Sequence, residues 1–297
     1  MLKIERESDF QADISVVCIT YNQAHLVESA LNGFLEQKVN CNLEIVIHDD
    51  ASTDNTAEVL KNFQRMHSDR VTLLLQSENQ CKVPDVEVTC FTASHATGKY
   101  IALCEGDDYW IDPYKLQKQY DVLEANPDLS ASFHSAYTET PNGERNLFAH
   151  HSEDERKFTP QEVILGDGAF MPTSGLFCRK EAFEQITRDL ILTMPCGDYF
   201  FQIMASKDGG AYYFPEPMSV YRIQHAVSFS TNFSNVDYET TAKFYERMCK
   251  AVKLMDSITE YQFSSSFDIM FNRYNRSRRN NLKRHHYLKF KKLLKMV

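Results

Sequence analysis

The chain has 297 residues, 43% hydrophobic and 25% charged, which suits one large globular domain or two small ones. Ten Gly and nine Pro exclude collagen-like and linker-like chains, and no apolar run of about 18 residues is present to cross a membrane. The net charge of −9 is uneven: ten Lys or Arg and no acid fall in residues 273–297, leaving −19 on the other 272, so an anionic partner is expected at one end only.

The N-terminal stretch MLKIERESDFQAD is too charged for the apolar part of a signal peptide. The first third then alternates strand and helix patterns. ISVVCIT (14–20) is a continuous β-branched run, as in a buried parallel strand. Leu26, Ala30, Leu31, Phe34 and Leu35 follow at helical spacing. LEIVIHD (43–49) is a second strand. Ser52 or Thr53 is placed to cap the next helix, where Ala57, Leu60 and Phe63 form a stripe. VTLLL (71–75) is a third strand, 84–96 reads as helix, and YIALC (100–104) is a fourth strand. Such βαβ units predict a parallel sheet with helices on both faces, and ligands of such sheets bind at the C-terminal ends of the strands.

Pro113 opens a helix to about Glu124, and LSASFHSAY (129–137) reads as a strand. A polar, mobile stretch is expected over 139–157. GLFCR (175–179) reads as strand, Lys180–Ile186 as helix, and Asp198 opens a helix. AYYFPEPMSVYR (211–222) is extended, and the chain is helical from 236 onward. Eight scattered cysteines contain no C-x-x-C pair, which excludes zinc ribbons and thioredoxin motifs. Reduced thiols in a cytosolic protein are the simplest reading.

Chemistry gathers where the strands end. Strand one runs into Thr20-Tyr21-Asn22, strand two into Asp49-Asp50, and strand four into Glu105-Gly106-Asp107-Asp108. The last tetrapeptide is either a polar turn or a divalent cation site, since close carboxylates repel unless neutralised and hard oxygens suit Mg²⁺ or Mn²⁺. Asp49-Asp50 could accept hydrogen bonds from a base or ribose, or serve as an Asx-turn. No G-x-G-x-x-G follows strand one and no G-x-x-x-x-G-K-[ST] is present, against NAD dehydrogenases and P-loop enzymes. A metal ion would then partner any bound phosphates.

ISVVCITYNQ (14–23), EIVIHDDASTDNT (44–56), GKYIALCEGDDYWIDPYKLQKQ (98–119), CGDYFF (196–201) and YRIQH (221–225) together resemble the inverting glycosyltransferases of family two, which have the GT-A fold. The resemblance implies an α/β fold with a Rossmann-like, mainly parallel sheet. It implies a GT-A domain over 1–235, with a nucleotide-binding half at 14–137 and an acceptor-side half at 138–235. A basic helical extension would fill 236–297. It also implies a nucleotide-sugar donor, UDP-linked above others, and a glycan or lipid-linked glycan acceptor in surface polysaccharide synthesis.

By that resemblance Tyr21, Asn22 and Asp50 hold the nucleotide, supported by Asp49. Glu105, Asp107 and Asp108 match the region that binds ribose and Mn²⁺ or Mg²⁺, with Asp107 and Asp108 as metal ligands. The family commonly has Asp where Glu105 stands. Asp198 is the general base that takes the acceptor hydroxyl proton, against the alternative of a helix N-cap. Arg222 and His225 are diphosphate candidates, although the family pattern Y-R-x-H has one residue fewer. Trp110, the only Trp, either stacks on a sugar or belongs to the core.

The tail NLKRHHYLKFKKLLKMV (281–297) interleaves apolar and basic residues, which suits an anionic membrane surface at the inner face of the cytoplasmic membrane. A solvated helix end, packing on the acidic body or a homodimer contact are the alternatives, and nucleic acid is disfavoured by the negative body. A nucleotidyltransferase would carry a basic Gly-rich loop after strand one, which TYNQAH lacks. A non-catalytic carbohydrate- or protein-binding module would not need paired acidic loops.

Overall fold

The computed structural model describes residues 3–5, 11–83, 86–224 and 236–294. Its sheet has the order β1 (Lys3–Glu5), β4 (Val71–Leu75), β3 (Leu43–Asp49), β2 (Ile14–Thr20), β5 (Tyr100–Leu103), β10 (Phe177–Arg179), β7 (Ala131–Glu139), β11 (Ala211–Arg222), β6 (Tyr109–Trp110). Strands β4, β3, β2 and β5 are parallel neighbours. β10 lies antiparallel between β5 and β7, and β7 pairs parallel with β11. The parallel half is therefore the one expected from the βαβ pattern. The second half mixes directions because β10 inserts antiparallel between β5 and β7, two strands that both precede it in the chain.

Both faces of the parallel strands are covered, which is why they read as unbroken apolar runs. Ile14, Val16, Cys18, Ile45 and Ile47 face α1 (Val27–Leu35), α2 (Thr56–Met66) and α4 (Lys115–Ala125). Val17, Val46, Ile101 and Leu103 face the opposite core, with α3 (Val88–Ala93), α5 (Pro160–Gly166), α6 (Glu181–Glu184), α7 (Arg188–Thr193) and α8 (Asp198–Ser206). The side-chain alternation of each strand assigns it to both cores at once.

Two long helices complete the second core, α9 (Tyr238–Ile258) and α10 (Ser264–Leu294). Asp237 caps α9 by accepting from the amides of Glu239 and Thr240. Val252, Met255, Phe267 and Met270 are buried within the same cluster as Phe200 and Phe133. Each such side chain contributes about 1.5–3 kcal/mol of burial, so the helical pair is held firmly on the α5, α7 and α8 side. No helix among the described residues is long and apolar enough to cross a membrane.

Two expectations change. The stretch 139–157 is not structureless: β8 (Arg145–Phe148) pairs with β7, and β9 (Arg156–Phe158) pairs with β11. Ser52 and Thr53 do not cap α2, which starts after Asn55; Ser52 is bonded instead to Asp49. None of the eight cysteines forms a disulfide.

Candidate active site

A cavity of about 560 Å³ opens at the C-terminal ends of β2 and β5. Glu105, Asp107, Asp108 and Asp198 all line it, so two segments about ninety residues apart in sequence meet across one space. The acidic loop reaches this position by lying close over the end of β2. The Gly106 amide donates to the Ile19 carbonyl at 3.0 Å. A Cβ on Gly106 would lie 2.5 Å from Thr20 Cγ2 and 2.6 Å from Gln23 Oε1. Only glycine permits that approach.

Arg222 holds the same loop from behind. Its Nη1 donates to the Asp107 carbonyl at 2.9 Å and its Nη2 to Ser29 Oγ at 2.9 Å. The guanidinium lies 4.3 Å from the Tyr109 ring centre, beside Glu139. The Arg222 amide donates to Asp108 Oδ1 at 3.0 Å. Arg222 was expected at a diphosphate, but these donors are spent on the protein and fix the acidic loop against α1. His225 lies outside the described residues.

The charges in the cavity oppose one another. Burial, and then the neighbouring Asp107, Asp198, Asp108 and Glu87, push the Glu105 carboxyl well above its ordinary value. Asp108 is pushed well above the carboxylate range by burial and then Asp107, while the Arg222 amide and guanidinium pull it down. Asp198 is the first residue of α8 and faces the cavity. A helix N-terminus lowers a carboxyl pKa, and Asp198 keeps an exposed face, yet the protein packed around it raises its pKa against the stabilising backbone contact.

The loops after β2 and β3 contribute no residue to the cavity lining and are stapled to each other. Asn22, at φ 53°, donates its amide to Ser52 Oγ, and its Oδ1 accepts from the Thr53 amide at 2.7 Å. Asp49 Oδ1 accepts from Ser52 Oγ at 2.5 Å and Oδ2 from the Ser52 amide at 3.1 Å, which ties the loop back onto the end of β3. Burial raises the Asp49 pKa and these bonds moderate the rise. Asp50 is 4% exposed, with Oδ1 accepting from the Gln80 amide at 2.6 Å and Oδ2 from Cys81 at 3.1 Å. It thus shapes the turn whose Cys81 and Lys82 line the cavity. Tyr21 is half-buried on the loop after β2.

Trp110 belongs to the core. It is 3% exposed, donates Nε1–H to the Ser174 carbonyl at 2.8 Å, and packs edge-on against Phe34. It cannot stack on a sugar from there, because the ring is buried and Lys115 Nζ lies over it, 4.1 Å from its centre. Two cavity residues carry no local signal in the sequence. Glu87 caps α3 by accepting from the Cys90 amide at 2.7 Å, and Asp198 adds to the burial that raises its pKa. Arg247 comes from α9. An acidic N-cap and an arginine on a helix surface look like ordinary residues until the fold brings them to the cavity.

The sheet, the acidic loop at its C-terminal edge and the opposed carboxylate define a GT-A-type protein. The profile described as Glycosyl transferase family 2 matches residues 15–187, more than half of the chain. The chain belongs to glycosyl transferase family 2. It is 30% identical over 223 residues to an uncharacterized protein of Mycobacterium tuberculosis, covering 72% of this chain and 59% of that one. The chain thus spans about three fifths of the length of the first curated relatives that it matches. Among solved structures it resembles S. aureus TarS 1–349 in complex with UDP-GlcNAc, with TM-score 0.66, 16% identity, and 88% of this chain and 71% of that chain covered. It also resembles the mannosyltransferase PcManGT from Pyrobaculum calidifontis in complex with GDP-Man and Mn²⁺, with TM-score 0.55, 16% identity, and coverage of 97% and 82%. At those identities the likeness is one of fold.

Proposed function

We propose that this chain is a metal-dependent, inverting glycosyltransferase that moves a sugar from a nucleotide-sugar to a hydroxyl of a glycan acceptor. The observation that carries the reading is the meeting of Glu105, Asp107 and Asp108 with Asp198 across one cavity. TarS is complexed with UDP-GlcNAc and PcManGT with GDP-Man, which supports a nucleotide-sugar donor for this fold, with UDP favoured. In this reading Tyr21, Asn22, Asp49 and Asp50 form the nucleotide side of the cleft, with Glu105 and Asp107 toward the ribose.

Asp107 and Asp108 would hold Mn²⁺ or Mg²⁺. Among the described residues no group of three His, Cys, Asp or Glu forms a complete metal set. Mn²⁺ or Mg²⁺ beside a diphosphate takes one or two protein carboxylates and completes its shell with phosphate and water. Burial, and then the repulsion from Asp107, raise the pKa of Glu105 and Asp108, which also fits a site built for a counter-charge. When bound, the ion supplies neutralisation of charge on the departing diphosphate.

Asp198 takes the proton of the acceptor hydroxyl as that oxygen attacks the anomeric carbon. Its raised pKa makes it a better base than an open carboxylate, provided it is ionised. One displacement inverts the anomeric centre, so an α-linked donor gives a β-linked product. We further propose surface polysaccharide synthesis at the inner face of a membrane, docked through 273–297. Arg276, Arg279 and Lys283 are exposed one helical turn apart on α10, a spacing that supports this docking.

A panel of UDP- and GDP-sugars with Mn²⁺, read by donor hydrolysis and by calorimetry, tests the assignment. Asp198→Asn should keep nucleotide affinity and lose transfer by roughly 10²–10⁴-fold. Transfer at the wild-type rate would remove Asp198 from the mechanism, and a nucleoside triphosphate cleaved to pyrophosphate would favour a nucleotidyltransferase.

A further inference from the structure

Arg247 links the C-terminal helical pair to the cavity. From α9 its Nη2 donates to the Met194 carbonyl at 2.7 Å and the Leu192 carbonyl at 3.5 Å, while Nε donates to the Thr193 carbonyl at 3.3 Å. These carbonyls end α7 and have no partner within that short helix, so a cation is well placed there. The bonds use Nε and Nη2 only. Nη1 is bonded to no described residue, and Arg247 forms part of the cavity wall.

Its position relative to the base is set by a short stretch of chain. Met194-Pro195-Cys196-Gly197 leads from the gripped carbonyls directly to Asp198 at the start of α8. The Cys196 thiol stands within electrostatic reach of both: burial raises its pKa most, Asp198 adds to the rise and Arg247 opposes it. Elsewhere the cavity wall is acidic, with Glu87, Glu105, Asp107 and Asp108. Lys82, the other cation among the described lining residues, sits on the turn held by Asp50, on the nucleotide side.

A neutral acceptor would need no cation in the cavity that holds the base. An anionic one would be repelled by so many carboxylates unless a positive group stood where it enters. We infer that Arg247 selects the acceptor, binding an anionic group, a phosphate ester or a sugar carboxylate, that lies beside the hydroxyl presented to Asp198. The guanidinium is anchored on one side by the α7 carbonyls, so its free edge is pre-oriented toward such a group. Ile191 and Met194 line the wall on the same side and offer apolar contact to whatever carries the anion.

This inference rests on the glycosyltransferase reading, and its test separates the two. Three probes sharing an octyl chain are titrated into the full chain, with and without UDP and Mn²⁺: octyl glucoside, octyl glucuronide and octyl-diphospho-N-acetylglucosamine. At least one charged probe should bind about tenfold more tightly than the neutral one, the size expected for one charged hydrogen-bonded contact. The better of the two identifies a carboxylate or a diphosphate as the anion. Arg247→Gln should abolish that preference, leave octyl glucoside within about twofold, and leave UDP affinity unchanged. Arg247→Lys keeps a cation on the α7 carbonyls and should restore part of the preference. A wild-type protein without preference, or a preference that survives in Arg247→Gln, would overturn the inference and leave Arg247 as a cap of α7. Failure of the wild-type protein to bind UDP would count against the glycosyltransferase reading, while the charge preference stays measurable without nucleotide.

Discussion

Replacing Arg222 separates two roles that its sequence context does not distinguish. Its side chain is 16% exposed and makes two hydrogen bonds of 2.9 Å, to the Asp107 carbonyl and to Ser29 Oγ. At the low end each charged hydrogen bond contributes about 1.5 kcal/mol, and the stack on Tyr109 adds about 1 kcal/mol. Water entering the vacated space recovers part of this, so Arg222→Ala should cost about 3 kcal/mol. For a chain of this size that is a fall of roughly 6 °C in melting temperature. Melting without nucleotide is the deciding assay, because a diphosphate contact has no role there. Nucleotide affinity should fall as well, since the Asp107–Asp108 loop loses its support. An unchanged melting temperature with UDP binding weakened tenfold or more would refute the positioning role and restore Arg222 to the diphosphate.

Three further outcomes follow from the charges. Glu87, Glu105 and Asp108 have pKa values raised first by burial, so the folded state holds their protons more tightly and stability falls as pH rises from the ordinary carboxylate range through these raised values. Mn²⁺ should therefore raise the melting temperature more at pH 7.5 than at pH 5; equal shifts, or none, would count against a metal between these groups. Lys115 is fully buried with its pKa lowered by desolvation to about 7, so its stability contribution is lost as pH falls from about 10 to 7. Lys115→Met, compared with wild type by urea unfolding, should therefore gain relative stability between pH 10 and pH 6, and a pH-independent difference would contradict the depressed pKa. Replacing Arg276, Arg279 and Lys283 together by Gln should weaken sedimentation with anionic vesicles about 100-fold at low salt, at about 1 kcal/mol per cation, and leave neutral vesicles unaffected. Substitution is preferred to truncation near Phe271, because Tyr274 is buried and its hydroxyl donates to Asp167 at 2.5 Å.

Where a segment's structure depends on its own pattern, the sequence was sufficient. Strands at 14–20, 43–49 and 71–75 were legible to the residue, because a strand buried on both faces must be apolar throughout. The acidic loop after β5 and the helix opened by Asp198 were legible too, as turn chemistry and a helix start. Strands β8 and β9 were not. They are short and polar, and they exist because β7 and β11 offer free edges.

The composition of the cavity was decided by tertiary structure. Nothing local could tell that Asp50 would be bonded to the amides of 80 and 81, or that Arg222 would turn into the body and Trp110 into the core. Glu87 and Arg247 were invisible as site residues, since a helix cap and a surface arginine have the same local pattern wherever they point. The sequence by itself determined which segments are strands and helices, and that carboxylates gather at the strand ends, because those properties follow from the period of burial along the chain. Which of those carboxylates share a space, and which cations face them, follows from contacts between residues far apart in sequence, and packing alone decides those.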